Sequence, residues 1–180
     1  SDPDQVDAAI AQIMERFGRI DILVNNAAIT RDAIFHKMTR DQWLQVINTN
    51  LNSVFYWTHG VYPQMRENNY GRIINMSSNA ARGNPGQCNY TATKAALIGF
   101  TNTLAKEAGR KNITVNCVAP SATETEMFNA VPDHVKEAMC KASPMNRLAQ
   151  PSEMGEVIAF LASERASYLN GQCIYVNGGK

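Results

Sequence analysis

Four short apolar runs constrain this chain more than any other feature. They are IDILVNN (20–26), GRIINMSS (71–78), NITVNCVAP (112–120) and GQCIYVNGG (171–179). Each is too short for a helix and rich in Ile, Leu and Val, as expected of strands buried on both faces of a parallel sheet. The segments between them are long enough for helical crossovers. Val6, Ile10, Ile13, Met14 and Phe17 form one stripe, and Gly18 follows as a stop. Thr39, Arg40 and Asp41 open a long helix in which Trp43, Val46, Ile47, Leu51, Val54, Phe55 and Thr58 keep helical spacing. A second long helix is predicted over 88–110, and a third begins at Pro151 and runs through Leu161. Strand and helix alternate throughout, which predicts a doubly wound parallel α/β sheet. No repeat, linker or low-complexity stretch interrupts residues 1–180, so one domain is expected. Ligands of such sheets lie beyond the carboxyl ends of the strands, here Asn25–Ala28, Ser77–Ala80, Ala119–Thr125 and Asn177–Gly179.

Composition removes several functions. A net charge of +1 without a Lys/Arg run argues against nucleic-acid and anionic-membrane partners. No apolar run is long enough to span a bilayer, and the acidic SDPDQVD opening does not read as a signal peptide. Cys88, Cys117, Cys140 and Cys173 show no CxxC pairing or metal-ligand spacing, so they read as reduced thiols of a cytoplasmic protein.

The chemistry concentrates in NYTATKAAL (89–97). Residues four apart share a helix face, so Tyr90 and Lys94 can meet. An ammonium beside the phenol favours the phenolate and brings its pKa towards the working pH, where acid–base catalysis is efficient. YxxxK alone occurs by chance, but here it follows a Gly/Pro-rich loop and a strand ending in two serines. A serine hydroxyl there can hold a carbonyl oxygen beside the phenol. That arrangement suits proton transfer to an oxygen while hydride reaches the carbon.

NNAA (25–28), Asn50 in INTNLNSVF, GRIINMSS, NPGQCNYTATK (84–94), ITVNCVAPSATETEM (113–127) and IYVNGG (174–179) resemble, in order, the short-chain dehydrogenase/reductase family. The AITRDAIFHKMTRDQW segment is most similar to members that reduce acetoacetyl-CoA, and the whole chain to those acting on 3-oxoacyl thioesters. The resemblance implies a Rossmann fold and NADP or NAD, with NADPH favoured. Its substrate would be an acyl thioester, carried on coenzyme A or an acyl carrier protein. It also implies a homotetramer or homodimer built through helices 41–67 and 88–110.

The catalytic set it implies is Asn50, a serine of the Ser77–Ser78 pair, Tyr90 and Lys94. Tyr90 would protonate the ketone oxygen, Lys94 would also bond the nicotinamide ribose, and Asn50 would bind a water linking Lys94 to solvent. Ser77 has the family's spacing to Tyr90, whereas strand register favours Ser78, which we take. Asn25 and Ala27 would line the adenosine–ribose side, and Thr125 would approach the pyrophosphate or carboxamide. Ala28 and Ser121 replace glycines of the family pattern with small residues. Met127, Phe128, Met139 and Met145 make the segment between Pro120 and Pro151 apolar, which suits an acyl chain.

The family's glycine-rich phosphate-binding turn has no counterpart before Gly18. Two accounts follow: the chain is part of a longer enzyme, which we expect, or a fragment with a structural, oligomeric role. A different alcohol or sugar dehydrogenase of the same family is the alternative activity. Without the preceding strands IDILVNN would be an exposed, apolar sheet edge.

Overall fold

A computed structural model describes residues 2–125 and 131–180. The chain runs α1 (Pro3–Phe17), β1 (Ile22–Asn25), α2 (Arg40–Ile47), α3 (Ser53–Glu67), β2 (Gly71–Met76), α4 (Cys88–Ala108), β3 (Ile113–Pro120), α5 (Asp133–Lys141), α6 (Pro151–Ala162) and β4 (Cys173–Val176). All four strands are parallel and lie in the order β1-β2-β3-β4.

Local chemistry sets the helix ends. The Asp2 carboxylate accepts from the backbone N–H groups of Asp4 and Gln5, and Pro3 fills the first turn of α1. Gly18 closes that helix at φ 76°, a left-handed conformation that costs glycine little. Thr39 and Gln42 form a reciprocal capping box at the start of α2. Between α2 and α3 the helix widens by one π-type turn over Asn48–Asn52, closed by the bond from Ser53 N–H to Asn48 O.

Alternation along β2 divides the core. Ile73 belongs to one buried cluster with Val6 and Ile10 of α1, Val61 and Met65 of α3, and Ala105 and Ala108 of α4. Ile74 and Met76 point the other way, against Leu161 of α6 and its neighbours. Helices therefore cover both faces, as the strand–helix alternation predicts. Because the strands advance in one direction while the covering face changes, the β3–β4 crossover has the opposite hand to the two before it.

One expectation is met and two need correction. β1 forms the sheet edge, as expected for this run without further strands beside it, with Ile22 46% and Val24 37% exposed, so it is not buried on both faces. An apolar run indicates a strand but not its neighbours, and here only β2 pairs with it among the described residues. Phe17, placed on the buried stripe of α1, is also exposed and instead lies under the Arg16 guanidinium. Of the apolar residues expected over the segment between Pro120 and Pro151, Met127 and Phe128 lie outside the described residues. Met139 is 38% and Met145 57% exposed.

Candidate active site

The carboxyl ends of β2 and β3, Lys180 beyond β4 and the first turn of α4 line a cleft of about 510 Å³. Ser78, Tyr90, Ser121, Met139 and Lys180 all line it. The loop between β2 and α4 turns on itself through a bond from Ala81 N–H to Ser78 O and a second from Gly83 N–H to Ala80 O. That fold brings Ser78 back beside Tyr90.

Lys94 sits one turn after Tyr90, is buried, and places Nζ 5.5 Å from the phenol ring centroid. Its ammonium donates to the Met76 carbonyl at the end of β2, at 2.6 Å. Burial lowers the Lys94 pKa to about 8, with the Cys117 sulfur opposing the shift. Tyr90 is raised above its ordinary value: burial dominates, a hydrogen bond with the Ser78 hydroxyl opposes, and the Asp32 carboxylate adds to the rise. Here the sequence reading is corrected. It expected Lys94 to pull the phenol down, but the ammonium bonds a carbonyl and the phenol loses water. The outcome is a phenol that keeps its proton at neutral pH.

The two adjacent serines are used differently. Ser77 is buried, and its hydroxyl donates to the Lys94 carbonyl at 2.7 Å. Ser78 is half-buried in the cleft wall, and its Oγ accepts from Ala80 N–H at 3.1 Å.

Asn50 lies in the π turn and is fully buried. Its Oδ1 accepts from Ile29 N–H at 2.8 Å, and its Nδ2 donates to Ile29 O at 2.9 Å. Nδ2 also reaches Thr93 Oγ1 at 3.5 Å, one residue before Lys94. The side chain thus clamps the loop after β1 to α4, and the amide is already satisfied by protein.

A residue that the sequence reading passed over makes a second clamp. Asn89 is fully buried, donates to Arg31 O at 3.0 Å and Gln42 O at 3.2 Å, and accepts from Tyr90 N–H at 2.7 Å. The signal was its place immediately before the tyrosine at a helix start, where a short polar side chain serves free N–H groups. Nearby, Gln87 Nε2 donates to the Asp32 carboxylate at 2.9 Å, fixing the anion that acts on Tyr90.

Three further candidates lie elsewhere. Asn25 is buried at the end of β1 and donates to Thr58 Oγ1 at 3.2 Å and Asn75 Oδ1 at 2.8 Å. Asn75 continues the chain to Thr101 at 2.9 Å. Asn25 and the exposed Ala27 border a hollow of about 310 Å³ along the free edge of β1, with Thr49, Ser53 and Trp57. Thr125 is exposed and lines a separate hollow beside α5 with Glu124 and Lys136. The structure therefore brings Ser78, Tyr90 and Lys94 together, holds Asn50 behind them, and leaves Asn25, Ala27 and Thr125 outside that cleft.

A parallel sheet with helices on both faces, and a buried lysine one helical turn from a tyrosine at the strand ends, make an α/β site suited to proton transfer to an oxygen. The family model described as Enoyl-(Acyl carrier protein) reductase matches residues 1–180. The chain is 48% identical to an acetoacetyl-CoA reductase of Shinella zoogloeoides over 95% of its length and 72% of that protein's. It is 47% identical to nodulation protein G of Azospirillum brasilense, covering 99% of this chain and 73% of the other. It is 46% identical to the 3-oxoacyl-(acyl-carrier-protein) reductase FabG of Staphylococcus aureus, again over 99% and 73%. The chain belongs to the short-chain dehydrogenase/reductase family, and is an oxidoreductase that uses a nicotinamide cofactor. Among the described residues no helix is long and apolar enough to cross a membrane.

The residues present fit that cofactor on its nicotinamide side. A lysine ammonium has three donors, and among the described residues Lys94 makes one hydrogen bond. Donors remain for hydroxyl oxygens of a ribose.

Proposed function

We propose that this protein reduces 3-oxoacyl thioesters, such as acetoacetyl-CoA or a 3-oxoacyl group on an acyl carrier protein, to 3-hydroxyacyl thioesters. The observation that carries the reading is a phenol and a serine hydroxyl lining one cleft, with a buried ammonium one helical turn on and 5.5 Å from the phenol ring. The nicotinamide cofactor supplies the hydride. Ser78 holds the ketone oxygen at the cleft wall, and Tyr90 donates its proton to that oxygen as negative charge gathers there. Lys94, whose ammonium lies 5.5 Å from the phenol ring centroid, bonds the ribose in this reading. Asn50 and Asn89 are positioning residues, holding the loop after β1 against the helix that carries Tyr90.

Asn25 and Ala27 line the adenosine side in this reading, and Thr125 serves the pyrophosphate or carboxamide. The names of the relatives, acetoacetyl-CoA reductase and 3-oxoacyl-(acyl-carrier-protein) reductase, support the substrate class. NADPH as the donor rests on the family resemblance. Four free thiols support a cytoplasmic setting. Exposed Trp43, Leu44 and Phe55 on α2 and α3 support association of copies through these helices.

The test is Tyr90→Phe, assayed by loss of reduced-nicotinamide absorbance with acetoacetyl-CoA, beside a thermal melt. Reduction should disappear while the melting temperature holds. Turnover retained by the variant would remove Tyr90 from the chemistry.

A further inference from the structure

Strands β3 and β4 pair so that Cys117 stands directly opposite Cys173. Neighbouring strands lie about 4.8 Å apart, and disulfide-bonded α-carbons lie about 4.4–6.8 Å apart. The sheet itself therefore holds the two α-carbons at bridging distance. Cys117 is fully buried on the α4 side, where it reaches Ser77 and Lys94. Cys173 is partly exposed and opens a four-residue strand just after the Gly171 turn.

Their surroundings differ in a way that assigns roles. The Cys117 thiol donates towards the Cys173 sulfur, which keeps its own proton and lowers its neighbour's pKa to about 7. The Tyr175 hydroxyl and the Arg82 guanidinium, itself stacked 4.0 Å from the Tyr175 ring, favour the Cys173 thiolate as well. The partly open Cys173 is the one a peroxide reaches first, and the buried Cys117 directly opposite it is placed to resolve it.

We propose that Cys117 and Cys173 are a redox-active pair that closes to a reversible intramolecular disulfide on contact with a peroxide. The Cys173 thiolate attacks hydrogen peroxide; the O–O bond breaks, hydroxide leaves, and the sulfur is oxidised to the sulfenic acid. Cys117 then attacks that sulfur; the S–S bond forms, the S–O bond breaks, and the Cys117 proton leaves with hydroxide as water. Two thiols and one peroxide thus give one disulfide and two waters. Parallel neighbours carry their β-carbons side by side, so closure draws the short edge strand inward. A bridge strained in this way is readily reduced by a dithiol.

The experiment treats the Cys88→Ser/Cys140→Ser variant with near-equimolar hydrogen peroxide, and reads intact mass and a non-reducing peptide map. The expected result is a mass loss of about 2 Da, one linked peptide joining the two strands, and recovery of both thiols with dithiothreitol. The same peptide map on the unsubstituted protein gives the answer independently of the double variant's folding. Oxidation of Cys173 to the sulfinic acid with Cys117 still free, a bridge between molecules, or two unreacted thiols would each overturn the proposal. None of these readouts depends on turnover, so the test stands apart from the reductase reading.

Discussion

Replacing Lys94 by methionine should make the protein more stable near neutral pH, an unusual outcome for deleting a residue of the candidate site. Lys94 is 2% exposed, and burial lowers its pKa from 10.5 to about 8. Holding the ammonium in the fold therefore costs about 3 kcal/mol when both folded and unfolded states are protonated. Methionine fills a similar volume without that charge, but strands the Met76 carbonyl, at about 1 kcal/mol. The net gain near pH 7 is then about 2 kcal/mol. The sign of the pH dependence follows from proton counting. Between about 8 and 10.5 the unfolded chain holds the lysine proton and the folded chain has released it, so wild-type stability rises with pH through that window. Urea denaturation of both proteins near pH 7 and pH 10 measures it. The gap should move by about 2 kcal/mol in favour of wild type over that interval, and titrations common to both proteins cancel. A gap independent of pH, or a variant less stable than wild type near neutrality, would refute the reasoning that burial governs Lys94.

Two further outcomes follow from the geometry. Asn89→Ala removes the bonds to Arg31 O, Gln42 O and Tyr90 N–H, and should cost about 2 kcal/mol in urea denaturation; a change near zero would mean that water replaces the amide. Arg147 holds Glu153 through two bonds of 2.7 Å, and the Glu153 pKa is lowered to about 2 by that pairing and by Gln150 N–H. The pair's contribution is present above the ordinary carboxyl pKa and is lost as pH falls through the folded value. Arg147→Gln should return Glu153 towards 4.5 in a carbon-detected NMR titration, and an unmoved value would assign the shift to the helix end alone.

The strands and long helices were legible because each strand is a short apolar run bounded by glycine, proline or asparagine, and the helices keep an apolar period, with start signals at Thr39 and Pro151. Neighbours were less legible. IDILVNN looks the same whether one strand or two flank it, so exposure of Ile22 and Val24 could not be read from the run itself. Arg72 shows the same limit. It interrupts an apolar strand, yet it is fully buried, with its guanidinium 4.4 Å from the Tyr70 ring and 3.2 Å from the Glu164 carboxylate. Glu164 is 92 positions away in the chain, beyond any local pattern. The candidate site divides in the same way. Tyr90 and Lys94 are a local pair set by helical geometry, while Asn50 and Asn89 act on backbone groups 21 and 58 positions distant. An asparagine in a sequence announces a donor and an acceptor but not the peptide it will clamp.

The paired serines show why counting along the chain and counting faces of a sheet give different answers. Spacing to Tyr90 measures the length of the intervening loop, which can change by a residue without moving either end. Face parity cannot change by one residue without turning the side chain over. In β2, Ile73 and Asn75 face the helices α3 and α4, while Ile74 and Met76 face α6. Ser77 continues the first series, and its hydroxyl meets the Lys94 carbonyl, fastening the strand end to the helix. Ser78 stays extended at φ −163° and ψ 156°, and emerges in the cleft beside Tyr90. If Ser77 were the hydroxyl that holds a ketone, it would first have to abandon the bond that sets the position of Lys94. Ser78 can turn towards a carbonyl oxygen without disturbing that fastening, which is the physical reason for giving it the substrate.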